Sequence, residues 1–134
     1  MDGDTLVLAG GARVRLLQVD APESGRECYA TSARRELSRL APPGTRVALE
    51  TDARLDEIDR FGRLLRYVRV GATNVNVELV RNGAATPYFF RGDRGRYAAR
   101  LLVAVAEARV ARRGLWGSCH VSWSPTRPLE TRSR

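Results

Sequence analysis

Three short stretches of this sequence carry charges that ordinary strands and turns do not need. Asp2-Gly3-Asp4-Thr5 precedes the first apolar run, and Arg15-Leu-Leu-Gln-Val-Asp20-Ala-Pro-Glu23 is apolar in the middle and charged at its ends. The third, Asp59-Arg-Phe-Gly-Arg63, leads into a second apolar run. Asp4, Asp20 and Glu23 lie near strand ends that a hairpin would bring together. Hard oxygens clustered in that way suit Ca²⁺, which takes about six to eight oxygen ligands, backbone carbonyls and waters included. Arg15 and Arg63, at neighbouring strand ends, have the fork geometry to hold a phosphate and to stabilise charge developing on it. These are the parts for metal-assisted phosphodiester hydrolysis. Each has a plainer reading as well: a turn at Asp2-Gly3-Asp4, a sheet-edge arginine at Arg15, a common loop at Asp20-Ala-Pro-Glu23. Side chains alternate along a strand, so Arg15 and Asp20 fall on opposite faces unless a bend or bulge intervenes.

The elements that must position these residues follow from turn residues and periodicity. Thr5–Ala9 reads as a strand, Gly10-Gly11 as a hairpin turn, and Ala12–Val19 as the return strand. From Glu27 to Leu40, the residues Tyr29, Ala33, Leu37 and Leu40 recur at helical spacing until Pro42-Pro43-Gly44 stops them. Thr45–Thr51 and Arg63–Val70 read as strands. Asn74–Arg81 reads as a short helix with Asn74 at its N-cap, and Arg94–Arg113 as the longest helix. Tyr88, Phe89 and Phe90 sit in a loop between Pro87 and Gly92. Residues 121–134, rich in Ser, Pro and Arg, read as a mobile tail. Short strands with interspersed helices point to an α+β fold built on a small curled sheet or barrel.

Composition bounds the partners. The 134 residues suit one domain, 43% are hydrophobic and 28% charged, and the net charge is +8. Every one of the 23 cationic residues is arginine, so an anionic partner, nucleic acid first, is the expectation. No apolar run reaches the roughly 18 residues of a membrane-spanning helix. The start, Met1-Asp2-Gly3-Asp4, has none of the character of a signal peptide. Cys28 and Cys119 match no zinc or CxxC spacing, which leaves one disulfide or two small buried residues. His120 is the single histidine, which argues against histidine-based nucleophilic chemistry.

DGDT, RLLQVDAPE, DRFGR and NVELVRNGAA, in this order and with this approximate spacing, resemble the staphylococcal nuclease (thermonuclease) family from Asp2 to about Trp116. The resemblance implies an OB-fold, a five-stranded barrel with three helices, in residues 1–120. It implies a Ca²⁺-dependent nuclease that acts on single-stranded DNA and RNA and leaves 3′-phosphate products. By position, Asp4 and Asp20 would be the Ca²⁺ carboxylates, with the backbone carbonyl of Ala21 where the family often has Thr. Glu23 would be the general base or the group that orders the attacking water. A glutamate is by nature a weak base at neutral pH, so the metal would share the work. Arg15 and Arg63 would clamp the phosphate, and Arg60 and Tyr88 would contact the substrate. Phe61 stands where the family often has Tyr, and Arg60 where it often has Lys.

The same resemblance frames the remaining expectations. A Cys28–Cys119 disulfide would suit the secreted members of the family, and a secreted or cell-envelope location with a monomeric state is the matching expectation. Only four strands are found for a five-stranded barrel, so the first barrel strand is expected to be missing from this chain, with an open edge beside Thr5–Ala9. The alternative to an enzyme is a non-catalytic OB module that binds nucleic acid or protein; such modules lose the acids and arginines that this chain keeps.

Overall fold

In a computed structural model that describes all 134 residues, strand β1, Thr5–Val7, pairs antiparallel with β2, Arg13–Leu16, so that Thr5 faces Arg15 across the ladder. Gly10 and Gly11 make the turn at φ 93° and 96°, a region closed to most side chains. The chain continues through β3 (Val19–Asp20), α1 (Ala30–Leu40), β4 (Ala48–Glu50), β5 (Leu64–Val70) and β6 (Thr73–Asn74). It then forms α2 (Val75–Arg81), β7 (Thr86–Pro87), α3 (Ala98–Val110), the single turn α4 (Leu115–Ser118), β8 (Cys119–Ser124) and β9 (Arg127–Ser133).

The main sheet runs β1-β2-β5-β4, with β2 and β5 parallel and β4 antiparallel to β5. The sheet does not close, because β1 and β4 are its two end strands. The open edge expected beside Thr5–Ala9 is therefore present. Helix α2 packs against the sheet, α1 and α3 pack on α2, and Ala33, Leu37, Val77, Leu79, Leu101 and Val105 from the three share one buried core with Val14, Leu16 and Val68 of the sheet. Burial of a side chain such as Leu101, fully enclosed, contributes roughly 1.5–3 kcal/mol. Asn74 caps α2 as expected, its side-chain oxygen accepting the Val77 N–H at 3.1 Å.

Two expectations need correction. The first helix begins at Ala30 rather than Glu27, because Glu27 is committed to backbone N–H groups elsewhere and Tyr29 takes a left-handed φ of 74°. Residues 121–134 do not form a tail: they belong to the β8–β9 hairpin. Their Ser, Pro and Arg content masks an alternation in which Leu129 and Thr131 face inward. A disulfide between Cys28 and Cys119, with Cα atoms 6.0 Å apart, ties the hairpin's root to the start of α1. Leu129, Cys119 and Leu115 form a second small core there.

Candidate active site

The bend demanded by the parity of Arg15 and Asp20 lies at Gln18, whose φ is 66°. Strand β2 stops at Leu16 and pairing resumes in β3 against β7, so Asp20 returns to the side of Arg15. One terminal nitrogen of Arg15 lies 3.4 Å from an oxygen of Asp4 and 3.4 Å from an oxygen of Asp20. The other donates to the carbonyls of Leu16 at 2.8 Å and Val19 at 2.7 Å. Asp4, only 3% exposed, also accepts the Ala21 N–H at 2.9 Å and the Thr5 hydroxyl at 3.1 Å. Asp20 accepts the Leu129 N–H at 2.8 Å through its second oxygen. Gly3 makes this placement possible, since a Cβ there would sit 2.8 Å from the Ala33 backbone of α1.

Burial pushes the Asp20 carboxyl up to about 6, and the Arg15 charge and the Leu129 N–H offset only part of that rise. The negative neighbours Asp4 and Glu27 push in the same direction as burial. Two nearly buried carboxylates thus converge on a single positive group. Across the ladder from Asp20 stands Thr86, fully buried, with a hydroxyl that has no protein partner. The two carboxylates, with an unpartnered buried hydroxyl on the strand paired to Asp20, are hard oxygen donors of the type Ca²⁺ takes.

Glu23 stands apart from this pair. No group of three or more acidic, histidine or cysteine side chains converges anywhere in the chain, contrary to the three-acid cluster read from the sequence. The Glu23 side chain is 56% exposed and is paired with Arg26, three residues on. A local partner within one turn costs little ordering entropy, so it prevails over a distant cluster. The Glu23 N–H is held by Glu27 at 2.8 Å.

The other half of the site is built on β5 and the loop before it. Arg63 donates its Nε–H to Asp59 at 2.7 Å. Asp59 also accepts the backbone N–H groups of Phe61 at 2.9 Å and Arg63 at 3.0 Å. Burial alone would raise the Asp59 carboxyl, but these hydrogen bonds outweigh it and hold the group below the usual range. Phe61, 58% exposed, lies under the guanidinium groups of Arg60 and Arg63, at 4.8 Å and 5.5 Å from the ring centre. Tyr88 and Phe90 meet edge to face at 6.4 Å, and Arg91 caps Phe90 at 5.1 Å. A cleft of about 610 Å³ is lined by Arg15, Arg60, Phe61, Arg63, Tyr88 and Phe90, among others. Asp4 and Asp20 lie behind Arg15, which joins the two halves.

Gln18, Glu27 and Thr86 escaped the sequence reading. Gln18 donates to the Asp93 carbonyl at 3.0 Å and accepts the Gly95 N–H at 2.7 Å, while its own carbonyl accepts the Tyr88 N–H at 2.8 Å. It ties the strand carrying Arg15 to the loop carrying the aromatic pair. Its one signal was an amide inside the apolar run Leu-Leu-Gln-Val.

The family described as staphylococcal nuclease homologue matches residues 13–118. The chain is similar to Micrococcal nuclease of Shigella flexneri, 34% identical over 87% of this chain and 69% of that protein. It is similar to Thermonuclease of Staphylococcus hyicus, 28% identical over 88% of this chain and 72% of that protein. Endonuclease YhcR of Bacillus subtilis (strain 168) is 30% identical over 87% of this chain but only 11% of its own length.

Proposed function

The chain belongs to the staphylococcal nuclease family, and from that premise we propose that it hydrolyses phosphodiester bonds of single-stranded DNA and RNA, with Ca²⁺ as cofactor and 3′-phosphate products. The observation that carries the reading is one cleft lined by Arg15 and Arg63, with aromatic rings on its rim and the carboxylates of Asp4 and Asp20 directly behind Arg15. A nucleic-acid strand offers a phosphate and a base at that spacing of charge and ring, and base stacking on aromatic side chains does not depend on sequence.

Asp4 and Asp20, with the backbone carbonyl of Ala21, would hold the cation, which when bound would polarise the phosphate and its attacking water. Asp59 fixes Arg63 through Nε and leaves the terminal nitrogens of this cleft-lining residue without a protein acceptor. Arg63 would then hold a phosphate oxygen and stabilise the charge that grows on it in the transition state, and Arg15 would join it once Asp4 and Asp20 turn from its terminal nitrogen toward the cation. Glu23, once released from Arg26 and turned toward the cleft, would take the proton from the attacking water as the new phosphorus–oxygen bond forms; the bond to the 5′ oxygen breaks, and that oxygen takes a proton from a solvent water as it leaves. Tyr88, Phe90 and Phe61 seat the base, and Arg60 pairs with a flanking phosphate. The disulfide suits an oxidising compartment, in keeping with a secreted or cell-envelope protein. No helix is long and apolar enough to cross a membrane.

The test is incubation of the oxidised protein with end-labelled single-stranded DNA, with Ca²⁺ or with excess chelator. Ca²⁺-dependent cleavage with 3′-phosphate ends is expected. Retained binding with no cleavage in Ca²⁺ would identify a non-catalytic module instead, and undiminished cleavage in chelator would remove the cation from the mechanism.

A further inference from the structure

We propose that the C-terminal hairpin β8–β9 positions the acidic half of the active site, and that the Cys28–Cys119 disulfide makes this positioning dependent on redox state. The inference rests on the nuclease reading above. The hairpin lies beyond residues 13–118, where the family matches, so the family match does not account for its contacts with the site.

Those contacts reach both halves of the site. On the acidic side the Leu129 N–H holds one oxygen of Asp20 at 2.8 Å. The Thr131 N–H holds one oxygen of Glu27 at 2.8 Å, and the other oxygen of Glu27 accepts the Glu23 N–H at 2.8 Å. Glu27, with a side chain only 6% exposed, thus bridges the hairpin to the backbone of Glu23. The Thr131 hydroxyl donates to the Cys28 carbonyl at 2.7 Å, beside the disulfide. On the aromatic side the Phe89 N–H donates to the Pro125 carbonyl at 2.7 Å and the Trp123 ring N–H to the Pro87 carbonyl at 2.9 Å. These two bonds flank Tyr88.

The N–H groups of Leu129 and Thr131 are spent on carboxylates: the first leaves Asp20 with only the oxygen next to Arg15 to turn toward a cation, and the second holds Glu27, and through it the backbone of Glu23, in place. Groups that orient a ligand in this way commonly change metal affinity by about 10–100-fold when they are lost. A two-stranded hairpin is marginal on its own, so its anchors decide whether it stays in place. The covalent anchor is the disulfide, which closes a separation of 91 residues. A dithiol can open it: the S–S bond breaks, each sulfur gains an electron and a proton to become a thiol, and the dithiol is oxidised to its own disulfide.

The experiment compares the oxidised full chain, the same chain after dithiothreitol, and the double variant Cys28→Ser/Cys119→Ser. Ca²⁺ affinity is measured by calorimetry, amide hydrogen exchange at residues 20–27 by mass spectrometry, and retention of the fold by circular dichroism. Loss of the disulfide should weaken Ca²⁺ binding about tenfold and speed exchange at residues 20–27 while the sheet signal persists. Unchanged affinity and unchanged exchange in both disulfide-free forms would overturn the proposal and leave the bridge as a stability staple. If reduction unfolds the chain, Leu129→Pro in the oxidised protein decides, since it removes the N–H held by Asp20 and leaves the disulfide. A folded Leu129→Pro with wild-type Ca²⁺ affinity refutes the positioning role, and a weakened one supports it. An oxidised wild type that cleaves nothing defeats the nuclease reading, yet the exchange comparison still decides the hairpin's role. An active wild type without a redox response defeats only the hairpin.

Discussion

The acidic half of the cleft and its arginine–aromatic rim are made on opposite principles. Around Arg15 the charges are enclosed, and both oxygens of Asp4 and of Asp20 have protein partners. On the rim, Phe61 and Phe90 are more than half exposed, and arginines lie over their faces. Enclosure makes electrostatic interactions strong and penalises any unpaired charge. Exposure makes them weak, screened by salt and adaptable. On the proposed reading, the buried half and Arg63 therefore act in the chemical step, and the aromatic rings of the rim set how well a strand is held.

The sharpest way to break this contrast is at Arg63, the rim-side arginine that lines the cleft and is fixed by Asp59. Arg63→Ala should lower kcat by about 10²–10³, with Ca²⁺ affinity unchanged. Lysine at that position should not restore the rate, because it lacks the planar fork. A near-wild-type kcat for Arg63→Ala would end the phosphate-clamp assignment.

A smaller effect, but one of unusual sign, is expected at Asp20. Its folded-state pKa of about 6 lies above the ordinary carboxylate value, so the folded protein holds that proton more tightly than the unfolded chain. Folding stability from this group is then full below the ordinary value and is lost as pH rises toward about 6. Asp20→Asn removes the penalty, and should stabilise the metal-free protein near pH 7.5 by about 1–3 kcal/mol while cleavage is abolished. Urea titrations at about pH 7.5 and pH 4 check this, with the gain confined to the higher pH. A destabilised Asp20→Asn at neutral pH would mean that the ionic contacts with Arg15 outweigh burial. By the same titration, Ca²⁺ affinity should fall as pH drops below about 6.

On the rim, Tyr88→Ala or Phe61→Ala should raise KM by roughly 5–150-fold, the value of about 1–3 kcal/mol for one stacked base, with kcat nearly unchanged. A fall in kcat with KM constant would place the rings in the chemical step instead. Gln18→Gly keeps the left-handed backbone and deletes the clamp on Asp93 and Gly95. It should raise KM several-fold and cost about 1–3 kcal/mol of folding stability, because the buried Gly95 N–H loses its acceptor, and an unchanged KM would show that the aromatic loop holds itself. The smallest change is expected at Arg39, whose exposed guanidinium pairs with Glu36 on α1 away from the cleft. Arg39→Ala should leave activity and melting temperature at wild-type values, and a lowered rate there would extend the functional surface.

Much of this was legible in the residues themselves. The turn at Gly10-Gly11, the cap at Asn74, and the strands leading to Arg15 and Arg63 depend on neighbours within a few positions, and such local preferences are written in local sequence. Motif order also carried the family, because four short patterns in register specify one fold more strongly than any of them alone. The hairpin of residues 119–133 was hidden for the reason that made the tail reading attractive. Composition averages over positions, whereas a strand needs only alternate residues such as Leu129 and Thr131 to face inward.

The sequence by itself determined which groups are present and which lie at strand ends: Asp4, Arg15, Asp20, Glu23 and Arg63, with arginine as the only cation. Tertiary structure decided which of them meet. Gln18 turns Asp20 back beside Arg15, the hairpin supplies the Leu129 N–H from 109 residues away, and Arg26 draws Glu23 outward to solvent. Contacts of that kind depend on backbone reversals and on partners distant in the chain, and their energies are set by burial, which no single stretch of sequence contains.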